Sequence, residues 1–112
     1  MRRLATALAA LTLWPSGVNA AAPDYPTEAL ADYVFACMAS NGESREILQR
    51  CSCSIDVISS LVPYEKYVQA ETVLSMLQVT GERTAVFRDP LWTRQVVADL
   101  RRAQAEAEIR CF

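Results

Sequence analysis

Four cysteines, Cys37, Cys51, Cys53 and Cys111, all follow an N-terminal stretch, Met1 to Ala20, with the layout of a secretory leader. Small exported domains depend on disulfides, which persist outside the cytosol, so an even cysteine count here predicts a stapled fold. The leader reading rests on order: Arg2 and Arg3, then the apolar run Leu4 to Trp14, then the small-residue exit Val18-Asn19-Ala20. Pro15 and Gly17 interrupt the apolar run, which is about half the roughly 20 residues a membrane-spanning helix requires. Cleavage is expected after Ala20, because a cut after Ala22 would place Pro23 next to the scissile bond. The expected organisation is a signal peptide over 1–20, an extended lead-in over 21–26 and a single helical domain over 27–112. The expected location is periplasmic or secreted, with no stable membrane insertion after cleavage.

Charge narrows the partners. The full chain carries 11 basic and 13 acidic residues, for a formal charge of −2, and losing Arg2 and Arg3 with the leader moves it to −4. An acidic chain without a basic patch is a poor ligand for nucleic acid or anionic membrane surfaces. A cationic partner stays admissible.

Helical spacing accounts for most of the remaining sequence. Thr27 is expected to cap a first helix whose face is Leu30, Tyr33, Val34 and Cys37, with Asn41-Gly42 ending it. Ser44 is expected to cap a second helix reaching Val62, along the stripe Ile47, Cys51, Ile55, Ile58 and Val62. The serines of Ser52-Cys53-Ser54 can compete for backbone groups and are the point where this helix is most open to a break. Pro63 suits the first turn of a third helix, Tyr64 to Val79, with the face Tyr64, Tyr67, Val68, Leu74 and Leu77, before Thr80-Gly81 stops it. Residues 81–88 read as a connection containing Ala85-Val86-Phe87. Asp89 is then expected to cap a last helix with Pro90 at its first position and the stripe Trp92, Val96, Leu100, Ala103, Ala107 and Cys111. The prediction is an all-α, disulfide-stapled bundle of about four helices.

The Cys51-Ser52-Cys53 pair decides how the staples run. Residues two apart on a helix point roughly 200° from one another, so on a continuous second helix these two cannot bond each other. Cys51 lies in the inward stripe, which favours Cys37 with Cys51 and leaves Cys53 with Cys111; the swapped pairing is the competitor. The chemical alternative is a thiol-disulfide or soft-metal carrier built on Cys51 and Cys53, with Met38 nearby.

Enzymatic signatures do not emerge. The chain has no histidine, the usual general base and triad member, and its carboxylates Asp56, Glu65, Glu71, Asp99, Glu106 and Glu108 occur singly on helical faces. Neither a cofactor nor a metal-ligand pattern is present, so no catalytic, cofactor or metal residue is assigned. Tyr64, Tyr67, Phe87 and Trp92 are read as core or capping aromatics. Arg101-Arg102 and the Ala-Glu-Ala-Glu stretch at 105–108 are read as the wet side of the last helix or a partner face. In size, leader and cysteine stapling the chain resembles the small exported helical proteins of Gram-negative bacteria, a mixed group that includes acid-stress chaperones and immunity proteins of secretion systems. No motif matches either, so no functional residue carries over. The expected function is non-enzymatic binding of another exported protein, with a second copy of the chain as one admissible partner.

Overall fold

Helical periodicity and well-placed caps make four helices among the described residues, and their packing makes one bundle. The computed structural model describes residues 24–78 and 90–112. The expected leader, the end of the third helix at Val79 to Gly81, the 81–88 connection and the Asp89 cap lie outside the described residues. The helices are α1, Thr27–Asn41; α2, Arg45–Leu61; α3, Tyr64–Gln78; and α4, Leu91–Cys111. No strand occurs among the described residues, and no helix there is long and apolar enough to cross a membrane.

The ends of the helices show which local signals govern. Pro26, with extended ψ of 146°, is the residue at the head of α1, and its carbonyl accepts the first bond, from Leu30 N at 3.2 Å. Thr27 is therefore the first helical residue and makes no side-chain cap, contrary to the sequence expectation. At the other end Gly42 takes φ of 120°, a conformation that side-chain-bearing residues rarely adopt, and donates its N–H to Met38 O. Ser44 behaves as expected, its Oγ accepting from Ile47 N at 3.2 Å. Pro63 disfavours helical backbone at Val62, which becomes the extended C-cap of α2, while Pro63 O accepts from Tyr67 N to start α3. Pro90 is likewise the cap of α4 rather than its first helical residue.

The serines around Cys53 do not break α2. Ser52 Oγ donates back to Leu48 O at 2.7 Å, and Ser54 Oγ shares a 2.8 Å hydrogen bond with the Tyr33 hydroxyl across on α1. Both hydroxyls are satisfied in ways that leave the helical ladder intact.

The core lies between α2, α3 and α4. α4 packs on both α2 and α3, and α1 packs on α2 from outside. Ile55, Ile58 and Val62 meet Ala70 and Val73 of α3 and Val96, Leu100, Ala103 and Ala107 of α4. Two expected faces hold except for one exposed member each. Val68 is 41% exposed, and the residues that α3 buries are Ala70 and Val73. On α4, Trp92 is 52% exposed and Thr93 is buried instead, its hydroxyl donating to Pro90 O at 2.7 Å so that it brings no unpaired polar group into the core. The lead-in is not featureless either: Tyr25 is 6% exposed and belongs to the core.

Candidate functional site

The cysteine pair is structural. Cys37 is bonded to Cys51 and Cys53 to Cys111, and no cysteine is free. Because α2 is continuous, its two sulfurs leave on different sides, one fastening α1 and the other the end of α4. Cys51 is fully buried.

Two surface depressions flank α1, and they differ in chemistry. Along the α2 side runs an open groove of about 510 Å³ lined chiefly by Leu30, Val34, Phe35 and Met38, with Ile55 in its wall and Asp56 its one charged lining residue. α1 buries none of its residues, and Phe35 is 75% exposed. Leu30 and Val34 fall on the predicted face of α1, whereas Phe35 and Met38 lie just beyond it. The sequence signal was the width of the apolar stripe on this helix, which exceeds what packing on one neighbour covers.

On the α3 side, a cleft of about 540 Å³ places Glu28 and Asp32 of α1 opposite Tyr64, Tyr67 and Glu71 of α3. Tyr64 and Tyr67 stack with centroids 6.4 Å apart and 20° between their planes. Tyr25 packs against both, edge-on to Tyr64 at 5.1 Å and tilted to Tyr67 at 5.2 Å. Asp32, Tyr67 and Glu71 also line an adjoining hollow with Tyr33, Ser54 and Glu108. Glu71 is thus not a lone carboxylate on a helical face; it shares this space with Asp32. Burial, and then the Asp32 carboxylate, raise its carboxyl above the ordinary value of 4.5, against the opposing pull of Arg101. Burial, and then Glu71, push the Tyr67 hydroxyl well above its ordinary range. The signal for this cleft was present as two stripes, Glu28 with Asp32 on α1 and Tyr64, Tyr67 and Glu71 on α3, but nothing local says that they face one another.

The other singled-out acids are solvated. Asp99 pairs with Arg102 at 3.2 Å and Glu106 with Arg110 at 2.7 Å within α4, and exposed pairs of this kind contribute only about 0.3–0.5 kcal/mol each. Asp56 and Glu65 are exposed on α2 and α3. Trp92 stands apart from the tyrosines on an exposed turn of α4, and Phe87 lies outside the described residues. No grouping of three or more potential metal ligands occurs among the described residues. The chain matches no protein-family model, no curated protein and no solved structure.

Proposed function

We propose that this is a small exported, non-enzymatic protein that binds another periplasmic protein through the groove between α1 and α2. The observation that carries the reading is Phe35, a large aromatic side chain 75% exposed on a helix that buries nothing. Water-exposed Phe35 beside half-buried Leu30, Val34 and Met38 forms an apolar lane along the helix. Removing such a lane from water stabilises a complex by about 25 cal/mol per Å². The groove is open along its length, which suits the apolar side of a partner's amphipathic helix, and Asp56 at its edge favours a basic residue there. Disulfide-fastened helices present this surface without much ordering cost on binding.

The cysteine arrangement supports binding over thiol chemistry. A carrier using Cys51 and Cys53 needs those sulfurs free or joined to each other, whereas each is bonded to a different helix. Disulfides fit an oxidising compartment, and the Met1 to Ala20 segment has the order of a leader.

Two measurements test this. Intact mass of the protein recovered from the periplasm should correspond to a chain starting at Ala21. A photo-crosslinking side chain at position 35 should give one discrete adduct with a second protein, lost when Met38 is changed to Glu, while the same probe at position 65 gives none. Retention of Met1, absence of an adduct at 35, or an adduct with the chain itself alone would overturn the proposal.

A further inference from the structure

The cleft on the other side of α1 has a composition that the protein-binding groove does not explain. Its walls hold three carboxylates, Glu28, Asp32 and Glu71, two tyrosine rings, Tyr64 and Tyr67, and no lysine or arginine. None of the ion pairs among the described residues involves any of these three acids. The one opposing charge among the described residues that acts on Glu71 is Arg101 of α4, which is exposed and only partly offsets the effect of Asp32. Repulsion between carboxylates in a partly desolvated space costs stability, so a fold that keeps them there without an internal cation leaves their charge available to a ligand.

The lining also indicates which kind of cation. A bare divalent metal needs several oxygen ligands converging at about 2.0–2.6 Å, and no such grouping is present among the described residues. An organic cation needs carboxylates at its charged ends, aromatic rings against its charge and apolar walls along its stem. Carboxylates give charge-assisted hydrogen bonds to ammonium or guanidinium, tyrosine rings attract such cations, and alkyl stems lie against apolar surface. All three occur here, with Val68 and Met76 as the apolar wall. The volume of about 540 Å³ falls in the range of small-ligand clefts. The adjoining hollow adds Glu108 on the far side of Asp32 and Glu71, giving a second charged end.

We infer that the α1–α3 cleft binds a ligand carrying alkylammonium or guanidinium groups on an apolar stem, with Asp32 and Glu71 engaging the charge and Tyr64 and Tyr67 flanking it. The ligand is either a free polyamine or a lysine or arginine side chain on a peptide; the chemistry is shared. The inference goes beyond the groove reading and stands independently of it, since the two surfaces share no lining residue.

Isothermal titration of the oxidised protein with spermidine, with a short lysine-containing peptide and with its side-chain-acetylated form tests it, magnesium chloride serving as a charge control. At least one amine should bind, and Asp32→Asn and Glu71→Gln should each weaken it about tenfold, the loss expected of one charge-assisted hydrogen bond. Tyr64→Leu should weaken it severalfold, and thermal melts of every variant confirm that it is folded. Spermidine binding without peptide binding identifies a free amine as the ligand, and the reverse identifies a protein side chain. The inference is overturned by no binding at millimolar amine, by equal displacement with magnesium, by equal affinity for the acetylated peptide, or by unchanged affinity in both carboxamide variants.

Discussion

The Tyr25 hydroxyl donates a 2.7 Å hydrogen bond to the carbonyl of Val62, tying the segment before α1 to the residue that ends α2. Val62 sits where a helix runs out of intrahelical donors and Pro63 follows, so its carbonyl has no partner in its own helix. Tyr25 supplies one, and its ring fills the corner against Tyr64 and Tyr67. One side chain thereby joins the lead-in to α2 and α3 and steadies one edge of the α1–α3 cleft.

Removing that bond should be measurable. Tyr25→Phe leaves a buried carbonyl unpaired and should cost about 1–3 kcal/mol in denaturant unfolding, whereas Tyr25→Ala also empties the aromatic corner and should cost about 3–5 kcal/mol. A Tyr25→Phe protein as stable as the parent would show that water satisfies Val62.

Alkaline titration should expose the same residue. Burial, and then Tyr64, raise the Tyr25 hydroxyl from 10.0 to about 12, so the folded state holds this proton more tightly than the unfolded one. Its contribution is fully present below pH 10 and is lost as pH rises toward 12. Tyr67, also raised, adds to the decline. Unfolding free energy should fall above pH 10, and less steeply in Tyr25→Phe.

Glu71 should give a dependence at the acid end. Its folded carboxyl is raised, so its contribution is greatest below its ordinary value of 4.5 and is lost as pH rises through the elevated native value. Asp32 on α1, Tyr67 on α3, Glu108 and Arg101 on α4 and Tyr33 behind them are the groups that face this space. Glu71→Gln should flatten this part of the stability profile and leave the protein no less stable at pH 7. A profile unchanged by the substitution would mean that water screens the site.

The two disulfides should differ in what they hold. In the chain-entropy treatment the bridge at separation 58 contributes about 4 kcal/mol and that at separation 14 about 3 kcal/mol. Replacing Cys53 and Cys111 by serine should therefore lower global stability more. Replacing Cys37 and Cys51 should chiefly loosen α1, which buries no residue, and amide exchange should quicken there first. Uniform acceleration across all helices would contradict this division.

The burial pattern of α4 predicts a sharp positional contrast. Ala107 is fully buried and Ala105 is exposed two residues earlier. Ala107→Leu should cost about 1–3 kcal/mol through overpacking, while Ala105→Leu should stay within about 0.5 kcal/mol. Thermal melts of the two variants decide it.

Sequence alone determined the features that depend on neighbours a few residues away: the four helices of the described residues, the Ser44 cap, the Gly42 stop and the break at Pro63. It also excluded a bond between Cys51 and Cys53, since residues two apart on one helix must face different partners, and it favoured Cys37 for Cys51, but packing decided between that pairing and its swap. Tertiary structure decided the rest. Tyr25, between Pro23 and Pro26, has no local periodicity to mark it as core, because its partner Val62 lies beyond two helices. The stripes beginning at Trp92 and at Thr93 share Val96, Leu100, Ala103 and Ala107, so a small rotation of α4, fixed only by packing, chose which residue to bury. α1 has a helical pattern as apolar as its neighbours, yet only its outer position leaves Phe35 in water. Asp32 and Glu71 belong to helices whose sequences say nothing of facing each other. Their shared cleft exists because α1, packed on α2, and α3, packed on α4, come to line one space, and the resulting electrostatics belong to the assembled bundle.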